Sequence, residues 1–215
     1  MTQEYYQSWL HKFNEWRKNY DKMSYTAHQE FYDTLLQFFP HQSQHTKSEV
    51  VHFFERIKQI PPKEWKVCEM GGWNGELAKF VLRRFPEILQ WDNYEISKLA
   101  IKSSVCKDKR YHIIVADDFI WNLILPYDYN IFLSAHTIEH IKAKHFQKLI
   151  LSLPSTIRWV YLESPLPLAV GRNWKDNFST HIFEWGWKDV SAFLASQHFE
   201  LNYVGRNIRI YKKIE

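Results

Sequence analysis

Glycine is scarce in this chain: six among 215 residues, beside eight prolines. So few loosening residues exclude collagen-like, low-complexity and long disordered stretches. Only two cysteines occur, Cys68 and Cys106, too few for a disulfide framework, and a reduced setting is expected. No apolar run approaches the roughly 18 residues of a membrane span. Met1–Leu10 lacks the basic-then-apolar order of a secretory leader. We therefore expect a soluble, cytoplasmic protein with no membrane partner. The phosphate loop G-x-x-x-x-G-K-[ST] is missing, and no internal repeat occurs. Charge of one sign is also lacking. A net charge of +4 permits an anionic partner without requiring one.

What is present is a globular profile: 45% hydrophobic, 24% charged and, unusually, 17% aromatic with ten tryptophans. The length fits one ordinary domain with an added part. Two regions are expected, a helical cap over 1–62 and an α/β domain over 63–215. In the first, Tyr5, Trp9, Phe13, Trp16 and Tyr20 recur at helical steps and make one apolar stripe that needs a cover. Further helices are expected over Ala27–Phe39 and Ser48–Ile60, closed by Pro61 and Pro62. From Trp65 on, strands alternate with helices, the pattern of a parallel sheet. Strands are expected at Lys66–Met70, Leu89–Tyr94, Tyr111–Val115, Tyr129–Ser134, Trp159–Glu163, His198–Val204 and Asn207–Tyr211. Helices are expected at Gly75–Phe85, Ser97–Val105, Ala143–Ser152 and Trp187–Ser196. Only Gly205 and Arg206 separate the last two strands, which makes a hairpin with an antiparallel last strand.

Three of the six glycines fall within five residues, in the stretch VCEMGGWNGELAKF from Val67 to Phe80. This stretch joins the first parallel strand to the first helix after it. There, free N–H groups and small residues let a ligand approach the backbone. The spacing E-x-G-G-W-N-G departs from the dinucleotide fingerprint G-x-G-x-x-G.

The stretch resembles the first motif of class I S-adenosylmethionine-dependent methyltransferases, an acidic residue followed by x-G-x-G-x-G. Glu69, Gly71 and Gly75 match. The family's middle glycine falls at Trp73, with Gly72 beside it. Further matches follow in family order. NYEIS ends the second strand with Glu95, at the family's ribose-binding carboxylate. VADDF after the third strand puts Asp117 at the adenine position, with Phe119 next to it. DYNIFLSAHTIEHI resembles the fourth motif and carries Ser134. The resemblance covers about Trp65 to Tyr211. It implies a Rossmann-like, seven-stranded, mostly parallel sheet with an antiparallel last strand. It also implies S-adenosyl-L-methionine as cofactor, bound by Glu69, Gly71, Gly72, Gly75, Glu95, Asp117, Phe119 and Ser134. Solvated strand-end carboxylates and a turn cap are the competing readings of Glu95 and Asp117, and a cap is preferred for Asp118. Cys68 reads as a small core residue.

Methyl transfer asks the protein mainly for alignment and, where needed, a proton acceptor. His136, His140 and His181 are the candidates for that acceptor, and His136 and His181 are the catalytic pair expected on the acceptor side. Glu163, at the end of the fifth strand, could face the pocket or pair with Arg172. The loop from Ser164 to Trp185 is long enough to be functional. His136, Glu139 and His140 would share one helical face, with His181 before Phe-Glu-Trp. This resembles the metal site of small-RNA 2′-O-methyltransferases, with His136 where that family has Glu. We expect no bound metal and a small-molecule or sugar-like acceptor methylated on O or N. RNA is the alternative acceptor, and a non-catalytic interaction module the third reading. Lys98, Lys102, Lys107, Lys109 and Arg110 read as a solvated face.

Overall fold

The computed structural model of the chain describes residues 3–38, 44–61, 63–115, 118–125, 128–166 and 183–214. Within these it describes the side chains of all but residues 3–10, 35–38, 44 and 45. In chain order the elements are α1 (Gln3–Asn19), α2 (Tyr25–Phe38), α3 (Gln44–Ile57), β1 (Trp65–Met70), α4 (Glu76–Leu82), β2 (Ile88–Tyr94), α5 (Lys98–Lys102) and β3 (Tyr111–Ile114). After these come β4 (Ile131–Ala135), α6 (Ala143–Ser152), β5 (Trp159–Glu163), α7 (Trp187–Ser196), β6 (Phe199–Val204) and β7 (Ile208–Lys213). Short 3-10 turns lie at Tyr20–Lys22, Ile120–Asn122 and Ile138–His140.

The strands form one sheet in the order β3-β2-β1-β4-β5-β7-β6. Strands β1 to β5 pair in parallel, and β7 runs antiparallel to both β5 and β6. The expected hairpin produces that reversal, closed by Gly205 N donating to Ile208 O at 2.9 Å. The order turns back between β1 and β4. That reversal opens a crevice at the carboxyl ends of the strands, where ligands meet such sheets.

Side chains alternate across the strands and feed two apolar layers. Val67, Trp91, Leu133 and Tyr161 pack with α4 and with Val50, Phe53, Phe54 and Ile57 of α3. Cys68, Phe132, Val160 and Tyr211 pack with α6, α7 and the Ile120–Asn122 turn on the other face. Helix α3 therefore belongs to the sheet's own core. Helices α1 and α2 make a separate small cluster of Phe13, Trp16 and Tyr20 with Phe31 and Tyr32. There Trp16 stacks on Phe31 at 4.2 Å between ring centroids. Trp16 Nε1 donates to His28 Nδ1 at 3.1 Å, so His28 Nε2 carries the proton it gives to Tyr20 O at 3.0 Å. Burial lowers the His28 pKa in agreement with that neutral ring. The stripe of α1 is thus covered by α2, while Tyr5 and Trp9 lie outside the described side chains.

Several boundaries differ from expectation for local reasons. Helix α4 starts at Glu76, because Gly75 takes the left-handed φ of 78°. A Cβ there would stand 2.6 Å from the Tyr111 ring, which only glycine avoids. Helix α5 stops at Lys102, where the Ser103 hydroxyl turns back onto Leu99 O and Ala100 O. Arg110, expected on a solvated face, instead donates to Leu82 O, Phe85 O and Ile88 O and pairs with Asp108. It thereby satisfies carbonyls at and after the end of α4. Cys68 and Cys106 are both free and buried. Among the described residues no helix is long and apolar enough to cross a membrane.

Candidate functional site

A cavity of ≈ 140 Å³ lies at the reversal point of the sheet. Met70, Gly71 and Trp73 after β1 form one side, and Tyr94, Glu95, Ile96 and Ser97 at the end of β2 form the next. Asp118, Phe119, Ile120 and Trp121 contribute from the segment between β3 and β4. His136, Thr137, His140 and Ile141 follow β4, and Tyr20, Tyr25 and Tyr32 roof the cavity. Pockets for drug-sized ligands run to about 300–1,000 Å³, so this roof must give way to admit one.

The glycine loop is held from within. Asn93 Oδ1 accepts from Gly72 N at 2.8 Å, and Asn93 Nδ2 donates to Trp73 O at 2.9 Å. Trp73 N donates to Glu95 Oε2 at 2.8 Å, and Ser97 N donates to Glu95 Oε1 at 2.9 Å. Trp73 itself sits at φ 60°. It keeps the left-handed backbone at a position where glycine would be unstrained, at a cost of about 1–2 kcal/mol. Gly71 also has positive φ, and a Cβ on it would meet the Thr137 side chain at 2.4 Å. Burial raises the Glu95 pKa against the lowering by the Ser97, Trp73 and Ile96 amides.

Beyond β4 the exposed His136 joins the cavity to the buried carboxylates Glu139 and Glu163. His136 Nε2 lies 3.2 Å from Glu163 Oε1, and its Nδ1 lies 3.5 Å from Glu139 Oε1. Glu163 also accepts from Thr46 Oγ1 at 3.0 Å and from the Tyr161 hydroxyl at 2.9 Å. Ser164 Oγ donates to Glu139 Oε2 at 2.8 Å. Burial works against a charge on His136, but the hydrogen bonds and charges of Glu139 and Glu163 outweigh it and push the pKa up to about 10. That direction favours the imidazolium form of His136. The shared helical face is also missing: residues 138–140 form a 3-10 turn, and His136 precedes it at φ 55°.

No protein-family model matches the sequence, and no curated protein matches it. Solved structures do. The methyltransferase domain of bacterial CtHen1 is 14% identical at a TM-score of 0.58, covering 79% of this chain and 98% of that one. Magnesium protoporphyrin IX methyltransferase from Synechocystis, with bound SAH, is 14% identical at a TM-score of 0.56, covering 93% of this chain and 92% of that one. Human N-acetylserotonin methyltransferase in complex with SAM is 11% identical at a TM-score of 0.58, covering 89% of this chain and 56% of that one. The fold is that of S-adenosylmethionine-dependent methyltransferases.

Within that methyltransferase fold, the cavity gathers some of the expected residues and leaves others aside. Gly71, Glu95, Phe119 and His136 line it. Glu69, Gly72, Gly75 and Ser134 do not. The Glu69 carboxyl lies directly beneath Gly72, whose Cβ would approach it to 2.2 Å. Its Oε2 accepts from Trp91 Nε1 at 2.6 Å, while Oε1 has no partner among the described residues. Burial pushes its pKa up to about 8. The Ser134 hydroxyl is buried and likewise unpartnered among the described residues. Asp117, His181 and Arg172 lie outside the described residues. Among the described residues no group of three or more His, Cys, Asp or Glu is placed to hold a metal.

The residues present fit an adenosyl group. Glu95 accepts from the Trp73 amide on one oxygen and from the Ser97 amide on the other, and a carboxylate can accept further donors, the chemistry a cis-diol needs. Phe119 adds a flat apolar ring to the same cavity. The residues the sequence did not single out are Asn93, the loop clamp, and Tyr25 and Tyr32 of the roof; Tyr20 was read only as part of the α1 stripe. Asn93 sits one residue before the Tyr-Glu pair of NYEIS and was visible only as a polar residue in an otherwise buried strand. Tyr25 and Tyr32 carry no signal beyond the general aromatic excess.

Proposed function

We propose that the chain is an S-adenosylmethionine-dependent methyltransferase that transfers a methyl group to an O or N atom of a small or sugar-like acceptor. The observation that supports this most is the position of Glu95. Its carboxylate is buried at the end of β2, beside Gly71 and Phe119, at the reversal point of the sheet. In this reading Glu95 holds the ribose hydroxyls, the Gly71–Trp73 backbone approaches the amino-acid end and Phe119 packs against the base. Asp117 serves the base as well. Glu69, Gly72, Gly75 and Ser134 shape the loop from beneath. When bound, the cofactor supplies a methyl group already activated on sulfur.

The protein's part is then alignment and exclusion of water. Of residues 1–62, expected as a cap on the domain 63–215, α1 and α2 act as the cap while α3 packs in the sheet's core, and α2 supplies Tyr25 and Tyr32 to the roof. Its Gln29 Nε2 donates to Ile96 O at 2.7 Å, Asp33 Oδ1 accepts from Leu99 N at 3.0 Å, and the Tyr32 hydroxyl donates to His140 O at 3.2 Å. His136 faces the acceptor side as a cation held by Glu139 and Glu163, and it orients rather than takes a proton. His140 and His181 are the proposed proton acceptors.

The test is incubation with methyl-labelled cofactor and pools of hydroxylated and amine-bearing small molecules, read by mass spectrometry. Labelled product is expected from at least one pool and is lost in the Glu95→Ala variant. Absence of label from every pool, with no cofactor binding, contradicts the proposal.

A further inference from the structure

Among the described residues, three that are not glycine hold a positive φ: Trp73 at 60°, His136 at 55° and His198 at 64°. His198 follows the cap of α7, where a left-handed residue commonly closes a helix. Trp73 and His136 both line the inner cavity, after the neighbouring strands β1 and β4. Backbone strain of this kind gathers at functional sites. Glycine would relieve it at position 73, and the loop already carries glycine at Gly71, Gly72 and Gly75.

The Trp73 indole is also placed unlike the others. Every other tryptophan whose side chain is described meets a second ring or a cation. The Trp73 side chain is half-buried, and among the described residues neither a ring nor a cation lies against it.

The loop's backbone is closed on itself. Trp73 N donates to Glu95 Oε2, and Trp73 O accepts from Asn93 Nδ2. Gly71 N donates to Tyr94 O at 3.0 Å, Gly72 N to Asn93 Oδ1 at 2.8 Å, Gly75 N to Gly72 O at 3.2 Å and Glu76 N to Asn74 Oδ1 at 3.3 Å. Such a loop has little left to hold a phosphate or a carboxylate. What Trp73 offers a ligand is its side chain, and the face of an indole attracts a cation. The lining carries the carboxylates of Glu95 and Asp118 beside the His136 and His140 rings, so negative charge is at hand for a positive ligand.

We propose that Trp73 is a ligand-contacting residue of the cavity, and that its indole face receives the positively charged sulfur of the methyl donor. The identity of the donor rests on the methyltransferase reading above. The closed loop and the bare indole rest on the geometry alone.

Calorimetry on the full chain tests this with S-adenosylmethionine and S-adenosylhomocysteine, which differ by one methyl group and one positive charge. In Trp73→Gly the affinity for S-adenosylmethionine should fall about threefold or more further than that for S-adenosylhomocysteine. Trp73→Phe keeps an aromatic face and should keep most of the parent's ratio of the two affinities. Trp73→Leu keeps apolar bulk without that face and should lose the ratio as the glycine variant does. Partial unfolding weakens both ligands alike, so the ratio within one variant is insensitive to it. If Trp73→Gly binds neither ligand, the phenylalanine and leucine variants carry the comparison. Equal losses for both ligands, or a leucine variant that keeps the parent's ratio, overturn the proposal while the parent still binds. A parent that binds neither ligand contradicts the methyltransferase reading itself, and this inference with it.

Discussion

The amide of Trp73 donates to Glu95 Oε2 at 2.8 Å, so the glycine loop and the end of β2 are one hydrogen-bonded unit. Ser97 N holds the other oxygen at 2.9 Å. The carboxylate fixes the loop and the start of α5 at once. Any ligand it receives meets groups already in place, so little ordering remains to be done on binding.

Replacing Glu95 with Ala should therefore act twice. It removes a charged acceptor worth about 1.5–3 kcal/mol per hydrogen bond, which implies a loss of about tenfold or more in cofactor affinity. It also leaves two amides without their acceptor and should lower stability by roughly 1–3 kcal/mol. Titration with S-adenosylhomocysteine and urea unfolding read the two effects separately. A variant with unchanged affinity would place the ribose elsewhere.

Gly75→Val should destabilise the fold by about 3 kcal/mol, since a β-branched residue is forced to positive φ and into a packed ring. The ring is Tyr111, 2.6 Å from the added Cβ. Because Gly75 does not line the cavity, the loss should appear in thermal unfolding even where the variant still binds cofactor. An unaltered melting temperature would contradict the backbone geometry.

The buried carboxyl of Glu69 makes stability depend on pH. Its pKa rises from 4.5 to about 8, mainly by burial. Between those values the native state holds a proton that the unfolded state has released. Stability from this group is complete below pH 4.5 and is lost as pH rises through about 8. The slope from one proton is at most about 1.4 kcal/mol per pH unit. Glu69→Gln should flatten that decline and gain on the parent as pH rises. Parallel denaturation curves at all pH values in this window would show that Glu69 is ionised in the native state. His136, raised from 6.5 to about 10, adds a second decline centred at higher pH, with the same sign.

Two truncations separate the N-terminal helices. A chain starting after Phe38 loses α1 and α2, exposes the Phe119 and Trp121 wall, and should remain folded with weaker cofactor binding. A chain starting after Ile60 also loses Phe53, Phe54, Val50 and Ile57, all buried in the sheet's core. Each such side chain contributes about 1.5–3 kcal/mol by burial, so this shorter chain should aggregate. Analytical ultracentrifugation and melting curves distinguish the two. Equal stability of both would contradict the packing of α3.

Much of the sheet was legible because helices separate β1 from β2, β2 from β3 and β4 from β5, and the final pair is joined by a short turn. Helices α6 and α7 coincide with their expected spans, since their apolar spacing is regular and their ends are marked. The helical position of α3 was visible, but its allegiance to the sheet was not. Periodicity reports that a face is apolar and leaves open what covers it. The role of Arg110 was hidden for the same reason, because its carbonyl partners come from residues far away in sequence. At the site, Gly71 and Glu95 could be read because a loop between strand and helix has a fixed address. The upward pKa shift of His136 could not be read. It depends on Glu139, three residues on, and also on Glu163, which reaches the ring through the register of β4 with β5.

The most direct test of the account is a calorimetric titration of the folded chain with S-adenosylmethionine and S-adenosylhomocysteine. The account predicts saturable binding of both at one site per chain, weakened by Glu95→Ala. A sample that melts cooperatively yet binds neither ligand at millimolar concentration would contradict it.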